Sequence, residues 1–358
     1  MRARLPAASR VTSVGLTICL GAVGGILFAF LNMPMAWLIG AMCVTTIAAL
    51  SGAPLQRSGR LFRAMIAVLG VMLGGAFTPD ALERAYLWMG SITALLAYVS
   101  VVALSIALFL RRYFGFGRIT AYFSATPGGF SVMVLLGSAM GGDERTISLM
   151  HSVRLLLTVL IIPFWFRLFQ GYEPAGMSVL SRDADIALAD TGILIVLAVA
   201  GLYGGRFLRL PAAYLVGPLL LSAGAHLIGL TDATPPGVLV ATAQVVIGTA
   251  IGCRFIGVSV RRVLNTLMLG AAVTLFMLST AAALAYVLAE ATGLPFEALI
   301  LALSPGGVAE MSLISLSMDI DTAFVTTHHV TRIMFLVLLA PVAYRLMSGD
   351  GKDSPQGD

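Results

Sequence analysis

The sequence predicts an all-α polytopic membrane protein made of two inverted five-helix repeats. Three observations lead to this prediction: an apolar composition with few charges, a set of motifs that occurs twice, and an uneven distribution of Lys and Arg between the loops. Each repeat is expected to contain one re-entrant segment that is broken at Pro-Gly-Gly. The prediction is therefore ten spans and two re-entrant segments.

The composition excludes most other classes of protein. Of the 358 residues, 59% are hydrophobic and 11% are charged, and the mean hydropathy is +0.97. Soluble domains carry about 25% charged residues, so a soluble enzyme, a cytosolic DNA-binding protein and a disordered regulator are all excluded. Long continuous apolar runs also exclude an outer-membrane barrel, whose strands alternate in polarity. The three cysteines lie in apolar runs without metal-ligand spacing, which does not favour a disulfide framework or structural zinc.

Apolar runs of membrane length place the helices in order along the chain. After a cytoplasmic tail of residues 1–10, the first membrane repeat (11–169) contains predicted spans at 11–31, 35–51, 63–77, 86–110 and 146–169. A polar linker of residues 170–190 leads to the second repeat (191–347), with spans at 191–205, 211–230, 237–253, 264–289 and 324–346. The broken segments are 119–141 and 298–320, and a polar C-terminal tail covers 348–358.

The same motifs occur twice in one register, 177 or 178 residues apart. They are Pro-x-Ala-(Trp or Tyr)-Leu-(Ile or Val)-Gly, Pro-Gly-Gly and His-x-x-Arg, and they begin at Pro34 and Pro211, Pro127 and Pro305, and His151 and His329. Between residues 126 and 169, 14 of 44 positions are identical to the positions 178 residues later. Shared hydrophobicity explains matched leucines but not matched Pro-Gly-Gly, His and Arg, so the sequence indicates an internal duplication.

The positions of Lys and Arg decide between two topologies. If each broken segment crosses the membrane, the repeats are parallel, and 13 basic residues lie inside against 7 outside when Arg154 and Arg332 are set aside. If each broken segment is re-entrant, the repeats are inverted, and 17 lie inside against Arg84, Arg167 and Arg182 outside. Cytoplasmic loops carry the excess of Lys and Arg, so the inverted arrangement is predicted, with both termini in the cytoplasm.

The Pro-Gly-Gly breaks are the first candidate binding elements. Proline removes a backbone donor and glycine is a poor helix former, and irregular backbone at membrane depth persists only where protein or a wet cavity surrounds it. Broken helices in inverted repeats mark the binding site of many secondary transporters. The alternative is a simple kink or tight helix packing. The candidate residues are Pro127, Gly128, Gly129, Pro305, Gly306 and Gly307.

Each His-x-x-Arg motif places two polar side chains on one helix face, since residues i and i+3 are neighbours. His151 and Arg154, and likewise His329 and Arg332, fall inside predicted spans. An intramembrane arginine is costly and indicates function by default. The alternatives are that each arginine snorkels, or binds the broken-helix carbonyls of its own repeat, and that the histidines are simply packed and hydrogen-bonded rather than in contact with substrate or protons.

Glu310 breaks the symmetry between the repeats, because Val132 occupies the matching position. A carboxylate beside a helix break suits a proton carrier or cation ligand, or a structural partner of Arg332 or Arg154. Four nearby hydroxyl groups either contact a ligand or cap the broken helices; they belong to Thr126, Ser131, Ser304 and Ser312.

These paired motifs resemble the bacterial AbrB-type family of duplicated membrane proteins, and the resemblance covers about residues 11–347. The family carries two labels, regulator of gene expression and ammonia monooxygenase, and neither implies a residue whose role can be transferred. A monooxygenase needs several His and carboxylate ligands. This chain has four His and no H-x-x-x-H pair, so a metal at His151, His329 and Glu310 is the less favoured alternative.

The resulting expectation is a secondary transporter or permease of the bacterial inner membrane for a small anionic solute, coupled to protons through Glu310 or a histidine. No catalytic residue, metal or cofactor is expected. The expected partners are the lipid bilayer and the solute, without direct contact to nucleic acid, and a homodimer is left open. The alternative is a membrane sensor that binds the same solute without moving it and affects gene expression indirectly.

Overall fold

The computed structural model describes residues 7–174, 176–181, 187–258 and 260–348. The outer parts of both predicted tails (1–6 and 349–358) and the centre of the predicted linker (182–186) lie outside the described residues. Within the described residues the regular structure is entirely helical. This agrees with the all-α prediction.

The first half of the chain forms eight α-helices. They are α1 (Ala7–Phe30), α2 (Ala36–Leu50), α3 (Gly59–Gly74), α4 (Pro79–Glu83), α5 (Trp88–Phe114), α6 (Arg118–Ala125), α7 (Phe130–Ala139) and α8 (Glu144–Phe169). Short 3₁₀ turns at Ala85–Leu87 and Gly176–Ser181 precede α5 and the second half.

The second half repeats this order without a counterpart of α4. Its helices are α9 (Leu188–Phe207), α10 (Ala213–Leu227), α11 (Gly237–Gly252), α12 (Val260–Thr292), α13 (Phe296–Leu303), α14 (Val308–Ser317) and α15 (Thr322–Ser348), with a 3₁₀ turn at Cys253–Phe255 after α11. Both predicted broken segments are thus pairs of short helices, α6 with α7 and α13 with α14.

Seven helices in the described part of the chain are long and apolar enough to cross a membrane. The other three predicted spans, α2, α3 and α10, form helices of only 15, 16 and 15 residues. At about 1.5 Å per residue, they are shorter than a hydrocarbon core of about 30 Å. They pack between other helices, α2 between α1 and α11 and α10 between α9 and α3. The seven candidate spans are Arg10–Phe30, Ala85–Phe114, Glu144–Phe169, Leu188–Phe207, Gly237–Phe255, Thr266–Thr292 and Thr322–Leu339.

The two halves interlock through matched helix pairs. α3 packs on α10 as α11 packs on α2, and α5 packs on α15 as α12 packs on α8. Glycines allow the closest approaches: Gly24 meets the backbone of Gly40 between α1 and α2, and Gly201 meets that of Gly217 between α9 and α10. Small residues at such crossings let helix backbones touch in a membrane, where van der Waals packing drives association.

Gly201→Ala is expected to destabilise the protein by about 1–3 kcal/mol, because the new methyl group meets the backbone of Gly217 and Pro218, which cannot move aside cheaply. Gly204→Ala, one turn along α9, is the matched control, since a Cβ there meets nothing within 4 Å. It should be neutral or stabilising by about 0.5–1 kcal/mol. Thermal unfolding of the detergent-solubilised variants measures both, and equal melting temperatures would contradict the packing argument.

Candidate functional site

The two helix breaks have the same backbone design. Residues 126–129 separate α6 from α7, and residues 304–307 separate α13 from α14. At each break a hydroxyl group caps the first short helix: Thr126 Oγ1 donates to the Tyr122 carbonyl at 2.7 Å, and Ser304 Oγ to the Ile300 carbonyl at 2.5 Å. Two of the four candidate hydroxyl groups therefore have the capping role that was one of their predicted alternatives.

The first glycine of each break lies against a methionine of the following short helix. A Cβ at Gly128 would overlap the side chain of Met133, and one at Gly306 would overlap that of Met311. Pro127 and Pro305 lack the backbone donor that would continue the first short helix. Pro-Gly-Gly thus fits both the chain break and the close packing beside it.

Both predicted histidines are completely buried and reach back 28 residues to the short helix before the break. His151 Nε2 donates to the Phe123 carbonyl at 2.8 Å, and His329 Nε2 donates to the Leu301 carbonyl at 2.9 Å. Nδ1 of each ring has no hydrogen-bond partner among the described residues. Nε2 of each histidine therefore binds the short helix that precedes the break, and Nδ1 remains without a hydrogen bond among the described residues.

The two predicted arginines are also buried, but they are bonded differently. Arg332 donates to the Ser304 carbonyl at 2.7 Å and to the Gly306 carbonyl at 2.6 Å. Arg154 has one long contact, 3.5 Å to the Thr126 carbonyl. Nε of both side chains lacks a partner in the described part of the chain. Each arginine thus binds carbonyls of the break in its own half, which is one of the alternatives left open by the sequence. Arg154 does so weakly.

Matched aspartates begin the two helices that carry these motifs. Asp143 accepts hydrogen bonds from the Arg145 amide and the Thr146 hydroxyl before α8, and Asp321 accepts one from the Phe324 amide before α15. The Thr146 hydroxyl, followed by backbone amides, holds the pKa of Asp143 below its ordinary value. Because the folded pKa is lowered, this capping contribution is complete above the unfolded pKa of about 3.9 and is lost as the pH falls through the folded pKa.

Glu310 lies in the first turn of α14 and is 8% exposed. Its carboxylate lies against Gly307, where a Cβ would overlap it. The carboxylate interacts electrostatically with Arg154 and with Arg254. The N-terminal end of a helix also favours a negative charge. The start of the helix and the two arginines therefore all favour the charged form of the Glu310 carboxylate.

The buried His, Arg and Glu side chains at the two breaks form one charged centre, to which Arg254 also belongs. From the sequence, Arg254 is predicted only as one of the 17 basic residues on the cytoplasmic side. It lies in the 3₁₀ turn after α11, and its guanidinium carbon is 3.8 Å from the ring centroid of Phe130, the first residue of α7. Nε and Nη1 of Arg254 are buried without a partner among the described residues. Ala76 occupies the matching position in the first half. Arg254 and Glu310 are therefore both charged residues whose matching positions in the first half are apolar. This shared asymmetry is the sequence feature that could have identified Arg254 as a candidate site residue.

His328 is a second residue that the sequence analysis did not single out. It is completely buried, with Nδ1 donating to the Phe324 carbonyl at 2.8 Å and Nε2 2.9 Å from Ser91 Oγ on α5. Its ring contacts that of Phe324 in a tilted arrangement, with centroids 4.0 Å apart, and Phe324 in turn meets Trp88 edge-on at 5.7 Å. Met150 stands at the matching position. The only sequence signal for His328 is its place beside His329.

The last two candidate hydroxyl groups belong to Ser131 and Ser312. Ser131 is exposed on α7, and Ser312 accepts a hydrogen bond from Thr326 Oγ1 at 2.7 Å. No group of three or more His, Cys, Asp and Glu side chains suited to a metal occurs in the described part of the chain.

Comparison with known proteins identifies the family. The family model described as "Transition state regulatory protein AbrB" matches residues 37–348. The chain belongs to the AbrB family. A relative from Bacillus subtilis (strain 168), "Uncharacterized protein YhjN", is 27% identical over 94% of this chain and 94% of its own length. A second, from Escherichia coli (strain K12), is named "Putative regulator AbrB" and is 26% identical over 90% of this chain and 92% of its own.

Two neighbouring cavities open on one face of this AbrB-family protein. The first has a volume of about 270 Å³ and is mostly apolar, with Trp37, Tyr172 and Gln244 in its wall. The second, of about 460 Å³, is lined by Arg84, Asp319 and Asp321 and by the Trp88–Phe324 pair. Ala76 and Leu316 line both cavities. Both halves of the chain therefore contribute to each cavity, and the second leads to the aromatic rings above His328.

Proposed function

We propose that this AbrB-family protein is a secondary transporter that carries a small anionic solute across the bacterial inner membrane. The observation that carries the proposal is the charge of the centre at the two breaks. Arg154 interacts electrostatically there with Arg332 and with Arg254, and Glu310 is the carboxylate that acts on Arg154 and Arg254 among the described residues. Buried charges require partners, and an anionic solute supplies the missing negative charge.

The proposed architecture is an inverted repeat in which each broken segment returns to the side it entered. Two contacts support it. Arg167, near the end of α8, donates to the Asn32 carbonyl just after α1 at 2.6 Å, so α8 and α1 end on the same side. Arg63 near the start of α3 and Arg206 near the end of α9 both lie over the ring of Tyr214, at 5.4 and 6.0 Å. A parallel arrangement would separate the members of each pair across the membrane.

The cavities support access from the outside in this arrangement. Met33, Tyr172, Thr234 and Ser317 all line the first cavity. In the inverted topology the four segments that carry them lie on the external face, and both termini are cytoplasmic. The proposal therefore combines external cavities with a charged centre between the two breaks, the geometry of transporters whose broken helices meet near the midplane. No catalytic residue and no cofactor form part of it.

Uptake into proteoliposomes tests the proposal. The probes are radiolabelled acetate, lactate and succinate, offered with an inward proton gradient, and for at least one of them accumulation is expected to be well above that in protein-free liposomes, into which the protonated acids diffuse unaided. Arg154→Gln should reduce that uptake by about 30-fold or more, because it removes a buried charge from the binding centre. Arg63→Gln, which removes an exposed arginine from Tyr214, is the control and should transport normally. Unchanged uptake in Arg154→Gln would overturn the assignment of the centre.

The second candidate is a sensor, favoured by the name of the Escherichia coli relative, which calls that protein a regulator. A sensor would bind the solute at the same centre without moving it. Saturable binding of a probe by purified protein, together with no flux in proteoliposomes, would favour the sensor. Sustained accumulation would favour the transporter.

A further inference from the structure

Of the three arginines at the breaks, Arg254 has the fewest bonds to the protein. Arg332 is bound to two carbonyls, and Arg154 has one long contact to a third. Arg254 Nε and Nη1 are buried without any hydrogen-bond partner among the described residues. The side chain as a whole is half-buried, but these two enclosed donors lack the hydrogen bonds that water would supply, which is unfavourable. Such a group indicates a partner that binds in another state of the protein.

The surroundings of Arg254 fit a carboxylate with an apolar body. The face of Phe130 supports the guanidinium at 3.8 Å, an arrangement that stabilises a cation while leaving its edge donors free. Guanidinium binds carboxylate strongly through two parallel hydrogen bonds. The ring of Phe130 therefore offers an apolar surface, and the free donors of Arg254 offer a positive charge directly beside it.

The charged and titratable groups that act on Arg254 come from three other elements. They are Glu310 of α14, His151 and Arg154 of α8, and Arg57 of the loop before α3. Glu310 alone in this set is acidic, and it acts on Arg154 as well as on Arg254. An incoming carboxylate would therefore have to share these two arginines with the Glu310 carboxylate.

We propose that Arg254 is the residue that binds the carboxylate of the solute, and that Glu310 is its resident counter-charge, which takes up a proton when the solute binds. This inference rests on the proposed function and specifies its coupling. One carboxylate enters with its negative charge, and one proton from the solvent neutralises Glu310, so the charge of the centre does not change. The protein would thus take up one proton with each monocarboxylate.

Binding measurements over a range of pH test this exchange. The purified protein in nanodiscs is titrated with ¹³C-labelled acetate or lactate between roughly pH 6 and pH 8, where both probes are ionised. Affinity should fall by about tenfold per pH unit as the pH rises, because each bound anion requires one proton. Glu310→Gln, which keeps the neutral form, should bind with little dependence on pH. Arg254→Gln should bind at least about tenfold more weakly, and Arg63→Gln should match the wild type.

Infrared difference spectra in the same samples follow the proton itself. Binding of the ¹³C-labelled probe should produce the band of a protonated carboxyl group in the wild type and in Arg63→Gln, and none in Glu310→Gln. Three results would overturn the proposal: no binding of either probe, binding without the carboxyl band, or undiminished binding by Arg254→Gln. Arg254→Lys keeps the charge but not the two parallel donors, so it should bind more weakly with the pH dependence retained.

Chemical labelling of Glu310 tests the proposal without any solute. It covers the case in which Arg254→Gln fails to bind the probe for the trivial reason that it folds poorly. Dicyclohexylcarbodiimide adds to protonated carboxyl groups within membranes, and peptide mass spectrometry locates the adduct. Glu310 should become labelled at a higher pH in Arg254→Lys, whose single ammonium group is a weaker carboxylate partner, than in the wild type, and at a still higher pH in Arg254→Gln. Identical pH profiles in all three proteins would show that Arg254 is not the counter-charge of Glu310.

The outcomes separate this inference from the proposed function. Carboxylate binding with proton uptake but without flux would keep the Arg254–Glu310 exchange and assign it to a sensor. Flux that continues without protonation of Glu310 would keep the transporter and remove the exchange.

Discussion

Arg332→Gln is expected to destabilise the protein by about 2–6 kcal/mol, whereas Arg154→Gln should cost about 1 kcal/mol. The first estimate counts two carbonyls, Ser304 and Gly306, that each lose a charged donor, at about 1–3 kcal/mol apiece. The second counts one contact that is already long, 3.5 Å to the Thr126 carbonyl. Within a membrane no water replaces the lost donor.

The comparison is sharp because the two arginines occupy matching positions in the two halves. A general cost of removing a buried arginine would appear equally in both variants, so the difference between them measures the hydrogen bonds to the breaks. Unfolding in mixed micelles gives both free energies. Arg332→Lys is the control, since an ammonium group retains donors for the carbonyls and should recover part of the loss. Equal destabilisation by Arg154→Gln and Arg332→Gln would contradict the assigned roles.

This difference in hydrogen bonding also implies different roles for Arg332 and Arg154. Arg332 is occupied by the second break, so its replacement should affect stability first. Arg154 is held loosely and interacts electrostatically with both Arg254 and Glu310. Its replacement should therefore affect solute binding more than folding, which is why the transport test above uses Arg154.

The recurrence of the same motifs in both halves of the sequence made much of the centre predictable. Pro-Gly-Gly does not continue a helix, so both breaks could be located to the residue, and i, i+3 spacing put His151 and Arg154 on one face of α8. Spacing alone could not say which neighbour that face meets. The contact with the short helix before the break, 28 residues back in both halves, depends on how α8 and α15 pack, and local sequence carries no signal for it.

Two details of the structure could not be predicted from the sequence, and each has its own cause. Arg254 follows an apolar run and precedes other basic residues, so counting charges by loop assigned it to the cytoplasmic surface. Its side chain is directed instead toward Phe130, which is more than 100 positions away in sequence and becomes a neighbour only through tertiary packing. Helix length was overestimated for α2 and α10 because hydropathy continues past the turns that precede them. Met35 and Ala212 adopt left-handed backbone there, so α2 begins at Ala36 instead of 35 and α10 begins at Ala213 instead of 211.

Cysteine labelling should give an all-or-none answer on the proposed topology. In a background without Cys19, Cys43 and Cys253, single cysteines replace exposed residues: Arg60 at the start of α3, Leu208 after α9 and Asp80 in α4. An impermeant maleimide applied to intact cells should label Asp80→Cys alone, and inside-out vesicles should expose Arg60→Cys and Leu208→Cys together. The physical reason is the shared position of Arg63 and Arg206 over Tyr214, which places the start of α3 and the end of α9 on one side.

Leu208→Cys is the decisive variant, because Arg60 and Asp80 fall on opposite sides in either topology and so serve as controls for the two faces. In a parallel arrangement, each broken segment would cross the membrane and Leu208→Cys would label with Asp80→Cys from outside. That result would remove the inverted repeat, and with it the external position of both cavities. Labelling of Leu208→Cys with Arg60→Cys would require α8 to end on the external side. The break between α6 and α7 would then have to return to the cytoplasmic face, as a re-entrant segment does.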